Sequence, residues 1–299
     1  MVAKPPIRVR RRRPSRRQLA ARRIGALALL LAVAGIGIWA ATSAIGGKKK
    51  PKPAPVNPTL RIVFPEGFTR AQMAKRITAV GAIARSKRHV DPRLSAPAYL
   101  AATKKIKVPK EFAANDKDGA AEGFLFPALY EFTKLTTSRQ LVKDQLAAFR
   151  RSWKKVDLKY ARSRNLTSYD VLTIASIIER EALAPGDRNL VAAVIYNRLH
   201  SGMTLGLDAT VRYGLDIPPG KPLSDAQANG PNPYNTRTNH GLPPTPISNP
   251  GLASLQAAAK PAHVGYLYFY LKPDHVHLFF TASLDAFNAY VAAHPVKGG

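Results

Sequence analysis

Residues 167–183 read TSYDVLTIASIIEREAL. Thr167 and Asp170 fit the Ser/Thr-x-x-Asp/Glu pattern, in which each side chain bonds the other's backbone N–H, so a helix opens here. With about 100° per residue, Val171, Ala175, Ile178 and Ala182 form one apolar stripe, with Leu172 and Ile174 on its shoulders. Arg180 falls opposite the stripe and is expected in solvent. Glu179 and Glu181 each lie about 80° from the stripe centre, on opposite shoulders, so spacing does not choose between them. A carboxyl beside Ile, Leu and Ala is costly to ionise, which keeps it a proton donor near neutral pH. Cleavage of a glycosidic bond needs such a donor, because the departing oxygen must be protonated as the bond breaks. The plainer reading is two glutamates at a helix edge, solvated or paired with Arg180 or Arg188.

The chain of 299 residues has apolar and charged contents ordinary for a folded protein, but its net charge is +28. Half of that excess comes from ten Lys or Arg in residues 1–24, which hold no acid, and from Lys48, Lys49, Lys50 and Lys52. Between these clusters, residues 25–45 run without a charge, rich in Ala, Leu, Ile and Gly and with Trp39 near the far end. Twenty such residues cross a bilayer core of roughly 30 Å as a helix, whereas a cleaved signal has an apolar run of about 7–15. The small residues Thr42, Ser43 and Ala44 keep cleavage as the alternative. The basic excess before the span predicts a cytoplasmic N-terminus and an extracytoplasmic remainder. It also explains Arg10–Arg13 better than a nucleic-acid tail does, so no nucleic-acid partner is expected. No cysteine is present, which excludes disulfides, thiolate metal sites and a cysteine nucleophile. The seven histidines show no ligand spacing, and neither metal nor cofactor is expected.

Residues 46–58 (GGKKKPKPAPVNP) are a semi-rigid Lys/Pro linker. Leu60–Phe64 alternates as a strand, Pro65-Glu66-Gly67 turns it, and Thr69 caps a helix with Met73 and Ile77 on one face. Residues 80 to about 118 read as helical and basic. From residue 119 the character changes: Glu122–Tyr130 packs three aromatics and a proline into nine positions. Helices are predicted over Ser138 to Trp153, Arg188 to Leu199 and Leu252 to Ala259. Val264–Leu271 and His275–Thr281, joined at Pro273-Asp274, form a predicted hairpin.

The segment Ile174–Glu181 resembles the A-S-I-[VI]-E-[KR]-E stretch of the endolytic murein transglycosylases, the MltG/YceG-like family. The resemblance continues through Val194–Leu199, Gly202–Leu205, Asp208–Val211 and Tyr213-Gly214. It resumes at Pro233–Thr236, Gly241–Pro244, Pro246–Gly251 and Tyr266–Phe269, spanning roughly residues 119–290 in the family's order. It implies that Glu179 is the catalytic acid. The implied reaction protonates the leaving oxygen of a MurNAc–GlcNAc bond and closes a 1,6-anhydro ring from the C6 hydroxyl of the same MurNAc, without water. The strand–turn–helix at residues 60–77 is similar to the LysM-like unit that precedes the catalytic part. Departures are Gly206 where the family has Gln, Ala128 where it has Asp, and Phe287-Asn288 where it has His-Asn; these touch fine substrate contacts.

Further candidates follow, each with a plainer alternative. Asn197 lies on the apolar face of its helix and must find hydrogen-bond partners: it orients Glu179, touches a sugar, or ties down a loop. Asp208 is a second carboxylate, a substrate contact, or an N-cap. Tyr234, Asn235 and Thr236 form a sugar-binding wall or pin their own loop. His277 faces the cleft or is structural.

The expected architecture is α+β: a basic cytoplasmic tail (1–24), a transmembrane helix (25–45), a linker (46–58), a small LysM-like subdomain (59–118) and a mixed α/β catalytic domain (119–299). A cleft is expected along the 168–183 helix. Expected partners are peptidoglycan glycan strands, the cell-wall synthesis machinery and, through a single span, the membrane. The rival readings are a non-catalytic peptidoglycan-binding scaffold and a water-using muramidase with Asp208 as second carboxylate.

Overall fold

A computed structural model describes residues 58–104, 106–113 and 121–295. The tail, the expected transmembrane segment and all of the linker but Pro58 lie outside these residues. Among the described residues no helix is long and apolar enough to cross a membrane.

In chain order the elements are β1 (Leu60–Val63), α1 (Arg70–Arg88), α2 (Ala96–Thr103), a 3-10 turn (Lys110–Phe112), β2 (Leu129–Phe132) and α3 (Ser138–Trp153). There follow α4 (Lys159–Ser163), α5 (Ser168–Glu181), a 3-10 turn (Pro185–Asp187), α6 (Arg188–His200), α7 (Asp208–Gly214) and α8 (Asp225–Asn229). The chain closes with α9 (Leu252–Ala259), β3 (Tyr268–Leu271), β4 (Leu278–Thr281) and α10 (Leu284–Ala293). Helix and strand together make the α+β class expected. Among the described residues the strands form two antiparallel pairs, β1 with β2 and β3 with β4.

Local chemistry accounts for many boundaries. Thr69 and Gln72 form a reciprocal capping box at the start of α1, and Thr167 and Asp170 form another at α5. Thr137 caps α3, and Arg150 and Arg151 in its last turn face the negative end of the helix dipole. The hairpin forms where the aromatic run predicts it, with Leu271 opposite Leu278.

Two cores result. The first gathers Ile62, Phe64, Met73, Ile77, Tyr99, Leu125, Phe132 and Leu141. Within it the Tyr99 hydroxyl donates to Oε1 of the fully buried Gln145 at 2.7 Å, so the polar groups there are paired. β1 and β2 stand on either side of residue 118, with Leu60 opposite Phe132, and share this core. The second core surrounds α5. Phe112, Phe124, Phe149 and Trp153 pack in edge-on, tilted and stacked pairs at centroid separations of 4.8–5.8 Å against it. Packing of this kind adds about 0.5–1.5 kcal/mol per aromatic pair beyond area burial.

α5 corrects one expectation. It is not a surface helix with a single apolar stripe: Val171 to Ile178 are all buried, Thr173 and Ser176 included. α6 and α9 both pack on it. The Ser176 side chain is satisfied within the core, as burial requires. The Ser176 hydroxyl donates to Thr173 O at 2.7 Å and accepts from Ile247 N at 2.9 Å, and Ser248 Oγ donates to Ser176 O at 2.9 Å. Those bonds bind the 246–251 loop to the helix. Arg180, expected in solvent, is half-buried and donates from Nη1 to Gly67 O at 3.3 Å. Burial lowers its proton affinity, as it does for any enclosed cation.

Candidate active site

α5 ends at Glu181 because Ala182 turns to an extended conformation, ahead of Pro185. The end of the helix therefore presents Glu179, Arg180 and Glu181 to three different surroundings.

Glu179 is half-buried. Its Oε2 accepts the backbone N–H of Gly251, the N-cap of α9, at 2.9 Å. Its Oε1 accepts no hydrogen bond among the described residues. The Pro65-Glu66-Gly67 turn lies over it. Gly67 has φ +76°, a conformation that favours glycine, and a Cβ there would stand 3.4 Å from the Glu179 Cγ. The turn is fastened to the loop before α9: Gly67 N donates to Asn249 O and Asn249 N to Phe68 O, both at 3.0 Å. Glu66 reaches across from this turn. Much of the residue is exposed, but its carboxyl end lies against Gly251, where any Cβ would collide with it. That local burial, then the charge of Glu179, raises the proton affinity of Glu66, while Arg188 offsets part of the rise.

Glu122 sits behind, 5% exposed. It accepts the backbone N–H of Arg70 at 3.0 and 3.1 Å, Asn249 Nδ2 at 2.6 Å and the Tyr213 hydroxyl at 3.2 Å. Burial pushes it up to about 7 despite these donors. Asn249 also accepts Leu125 N at 2.9 Å and donates to Phe68 O at 2.9 Å, so one amide joins three chain segments.

Glu181 faces the other way. Burial pushes it up to about 7, with the charge of Asp208 adding and the backbone N–H of Ala209 in α7 opposing. Asp208 itself is paired with Arg237 at 2.9 Å and with Arg212 at 3.7 Å. Asp208 therefore stands with Glu181 at the start of α7. By proton affinity alone Glu181 matches the donor requirement. By geometry Glu181 is engaged with the start of α7, whereas Glu179 keeps one oxygen unbonded.

Among the described residues, no three His, Cys, Asp or Glu side chains are grouped to hold a metal ion. The YceG-like family model matches residues 42–293.

The chain belongs to the YceG-like family.

A protein named endolytic murein transglycosylase from Streptococcus pneumoniae (strain ATCC BAA-255 / R6) is 30% identical over 269 residues, covering 83% of this chain and 46% of the relative. One of the same name from Bacillus subtilis (strain 168) is 36% identical over 154 residues, 51% of this chain and 42% of the relative. The chain thus spans about half the length of the curated relatives it matches. A crystal structure of a yceG-like protein from Listeria monocytogenes superposes with a TM-score of 0.64 at 30% identity, covering 77% of this chain and 75% of that one.

On this YceG-like frame the other predicted residues fall into separate groups. Asn235 is fully buried and its Nδ2 donates to Ala228 O and Gly230 O at 3.0 Å each. Thr236, also buried, accepts Leu207 N at 3.1 Å and shares a hydroxyl contact with Thr210 at 2.9 Å. Both side chains hold the loop around α7. Tyr234 is half-buried, shares a hydroxyl contact with Thr245 at 2.8 Å and packs edge-on against Tyr213, which in turn reaches Glu122. Asn197 donates to Val264 O and Tyr266 O, both at 2.8 Å, and ties α6 to the approach of β3. His277 is exposed on the hairpin and bonds Asp274 at 2.9 Å. A cavity of about 870 Å³ opens at the first turns of α5, lined by Tyr160, Tyr169, Asp170, Tyr196 and Asn197 but not by Glu179.

Glu66 and Glu122 are carboxylates that the sequence reading passed over. Glu66 stood in a turn signal and Glu122 in an aromatic block, each with no local pattern pointing to chemistry. A carboxylate in a glycine turn, followed closely by a helix cap, is the only trace Glu66 leaves in the sequence.

Proposed function

We propose that this chain is a membrane-tethered endolytic lytic transglycosylase that cuts the MurNAc–GlcNAc β-1,4 bonds of nascent glycan strands, with Glu179 as its acid and base. One observation carries the assignment: a half-buried carboxyl at the end of the central helix, held at one oxygen by Gly251 N and unbonded at the other. Family membership and the name shared by the curated relatives support the substrate class. The protonated Glu179 gives its proton to the glycosidic oxygen as the bond from MurNAc C1 to that oxygen breaks, releasing the GlcNAc side with a free hydroxyl. The C6 hydroxyl oxygen of the same MurNAc then bonds to C1, and its proton returns to Glu179. Charge developing at C1 is met by the substrate's own acetamido group, so no protein nucleophile is required.

In this reading residues 1–24 stay in the cytoplasm, 25–45 span the membrane and 46–58 hold the rest off the bilayer. The unit at 59–118 resembles a LysM-like module and steadies the strand, and residues 119–299 carry the chemistry beside the synthesis machinery. Tyr234, Asp208 and the loop pinned by Asn235 and Thr236 border the strand's path, with Asn197 and His277 farther along it.

Mass spectrometry of glycan fragments released by the full chain tests the chemistry. The expected MurNAc ends are one water lighter than reducing ends. Reducing ends would instead assign a water-using muramidase, and intact strands a non-catalytic scaffold.

A further inference from the structure

Ala98, Ala101 and Ala102 stand three and four residues apart on one face of α2. Their side chains end at Cβ, and between α2 and α3 they leave a cavity of about 1040 Å³. From α3 the cavity receives Arg139, Val142, Lys143, Leu146 and Arg150, which share one helical face. Val142 and Leu146 are buried and make an apolar floor with Ala102. Arg139, Lys143 and Arg150 are exposed at the rim, and Arg93 and Lys107 complete it. Long basic side chains of this kind lay their stems over apolar surface and keep their charge at its edge. No carboxylate lines the cavity, and among the described residues none of the five cations is in an ion pair. The one acid of α3, Asp144, lies outside the lining and accepts from Gln140. Like charges gathered without a counter-charge focus a positive potential on the space between them.

We infer that this cavity binds an anionic phospholipid of the membrane surface, its phosphate on the rim cations and an acyl chain on the floor. A cationic rim over an apolar floor is complementary to an amphiphilic anion, whereas a phosphate polymer brings the charge but no chain for the floor. The cavity is held open by the protein's own bonds. Ser95, the N-cap of α2, donates its N–H to Ser138 Oγ, which donates to Ser95 O, both at 3.1 Å. Arg93 N donates to Lys134 O at 3.1 Å and fixes the segment that enters α2. The site also lies beside the start of β1. Leu60 pairs with Phe132, and a turn closed by Thr136 N donating to Thr133 O at 3.1 Å leads straight to Thr137 and Arg139 on the cavity. The thirteen residues 46–58 reach at most about 45 Å, which keeps that end of the domain near the headgroups. The choice of a membrane lipid as the source of the anion rests on the span proposed for residues 25–45. A lipid held here would fix how the tethered domain is turned toward the bilayer.

The test titrates the full chain, in neutral detergent micelles, with dioctanoyl phosphatidylglycerol, dioctanoyl phosphatidylcholine and glycerol phosphate, and counts bound copies by native mass spectrometry. The parent is expected to hold phosphatidylglycerol in preference to the other two. Replacing Arg139, Lys143 and Arg150 together by Gln should weaken that binding at least ten-fold. Replacing Lys48, Lys49 and Lys50 by Gln removes the same charge from the linker and should leave it within two-fold of the parent. Ala101→Leu keeps every charge but fills the space over the floor, and should weaken binding while melting as the parent does. Equal losses in the two triple variants would reduce the effect to general charge attraction and overturn the inference. Phosphatidylcholine bound as well as phosphatidylglycerol, glycerol phosphate bound as tightly, or undiminished binding by Ala101→Leu overturns it too. Carbonate washing of membranes that carry the full chain tests the span separately: release of the chain rejects the span, while lipid selectivity in micelles still decides the site.

Discussion

The backbone N–H of Gly251 donates to Oε2 of Glu179 at 2.9 Å across 72 residues of sequence. That bond joins the end of the central helix α5 to the start of α9, and the loop leading into α9 is held to α5 by the Ser176 contacts with Ile247 and Ser248. A carboxyl fixed in this way meets a substrate in one orientation, which is what efficient proton transfer requires.

Gly251→Ala sets a methyl against the Glu66 carboxylate, the far end of an exposed side chain that can swing aside. Thermal melts should therefore shift little, and strand cleavage should stay within a few-fold of the parent, because alanine keeps the N–H that bonds Glu179.

Asn249→Ala removes the amide that serves Glu122, Leu125 and Phe68. Leaving buried partners unpaired costs about 1–3 kcal/mol for each group, more where one is charged. Denaturant unfolding should report a loss at the upper end of that range. Asn249→Asp should not rescue it, since a carboxylate would face Glu122.

Glu122 gives stability a pH dependence of definite sign. Its folded proton affinity is raised to about 7 from an ordinary carboxyl value of 4.5, so the folded state binds more protons between those limits. Its contribution is fully present below about pH 4.5 and is lost as pH rises through about 7. The melting temperature of Glu122→Gln should therefore fall less than the parent's across that window. Glu181, raised to about 7 by burial, adds a dependence of the same sign.

How much was legible follows from the range over which each signal acts. The caps Thr69 and Thr167, the helix at Ser138–Trp153 and the hairpin at Leu271 and Leu278 rest on spacing within a few residues, and each forms as read. Arg180 was misplaced because a helical wheel assumes one open face, and α5 has none over Val171–Ile178. The roles of Glu66 and Glu122 depend on Gly251 and Asn249, far along the chain, so no window of sequence contains both partners. Asn235 and Thr236 were noticed for their chemistry, but only the fold shows their polar atoms turned to backbone and to Thr210. Glu179 and Glu181, symmetric on the wheel, differ in their surroundings, which is likewise visible only in the fold.

Rates of glycan cleavage by Glu179→Gln and Glu181→Gln, measured side by side on purified peptidoglycan with matched thermal melts, test the central claim most directly. Removing the acid should cost about 10²–10⁴-fold with Glu179→Gln, while Glu181→Gln keeps a rate within a few-fold of the parent. Cleavage at the parental rate by Glu179→Gln, or a larger loss with Glu181→Gln, would contradict the account.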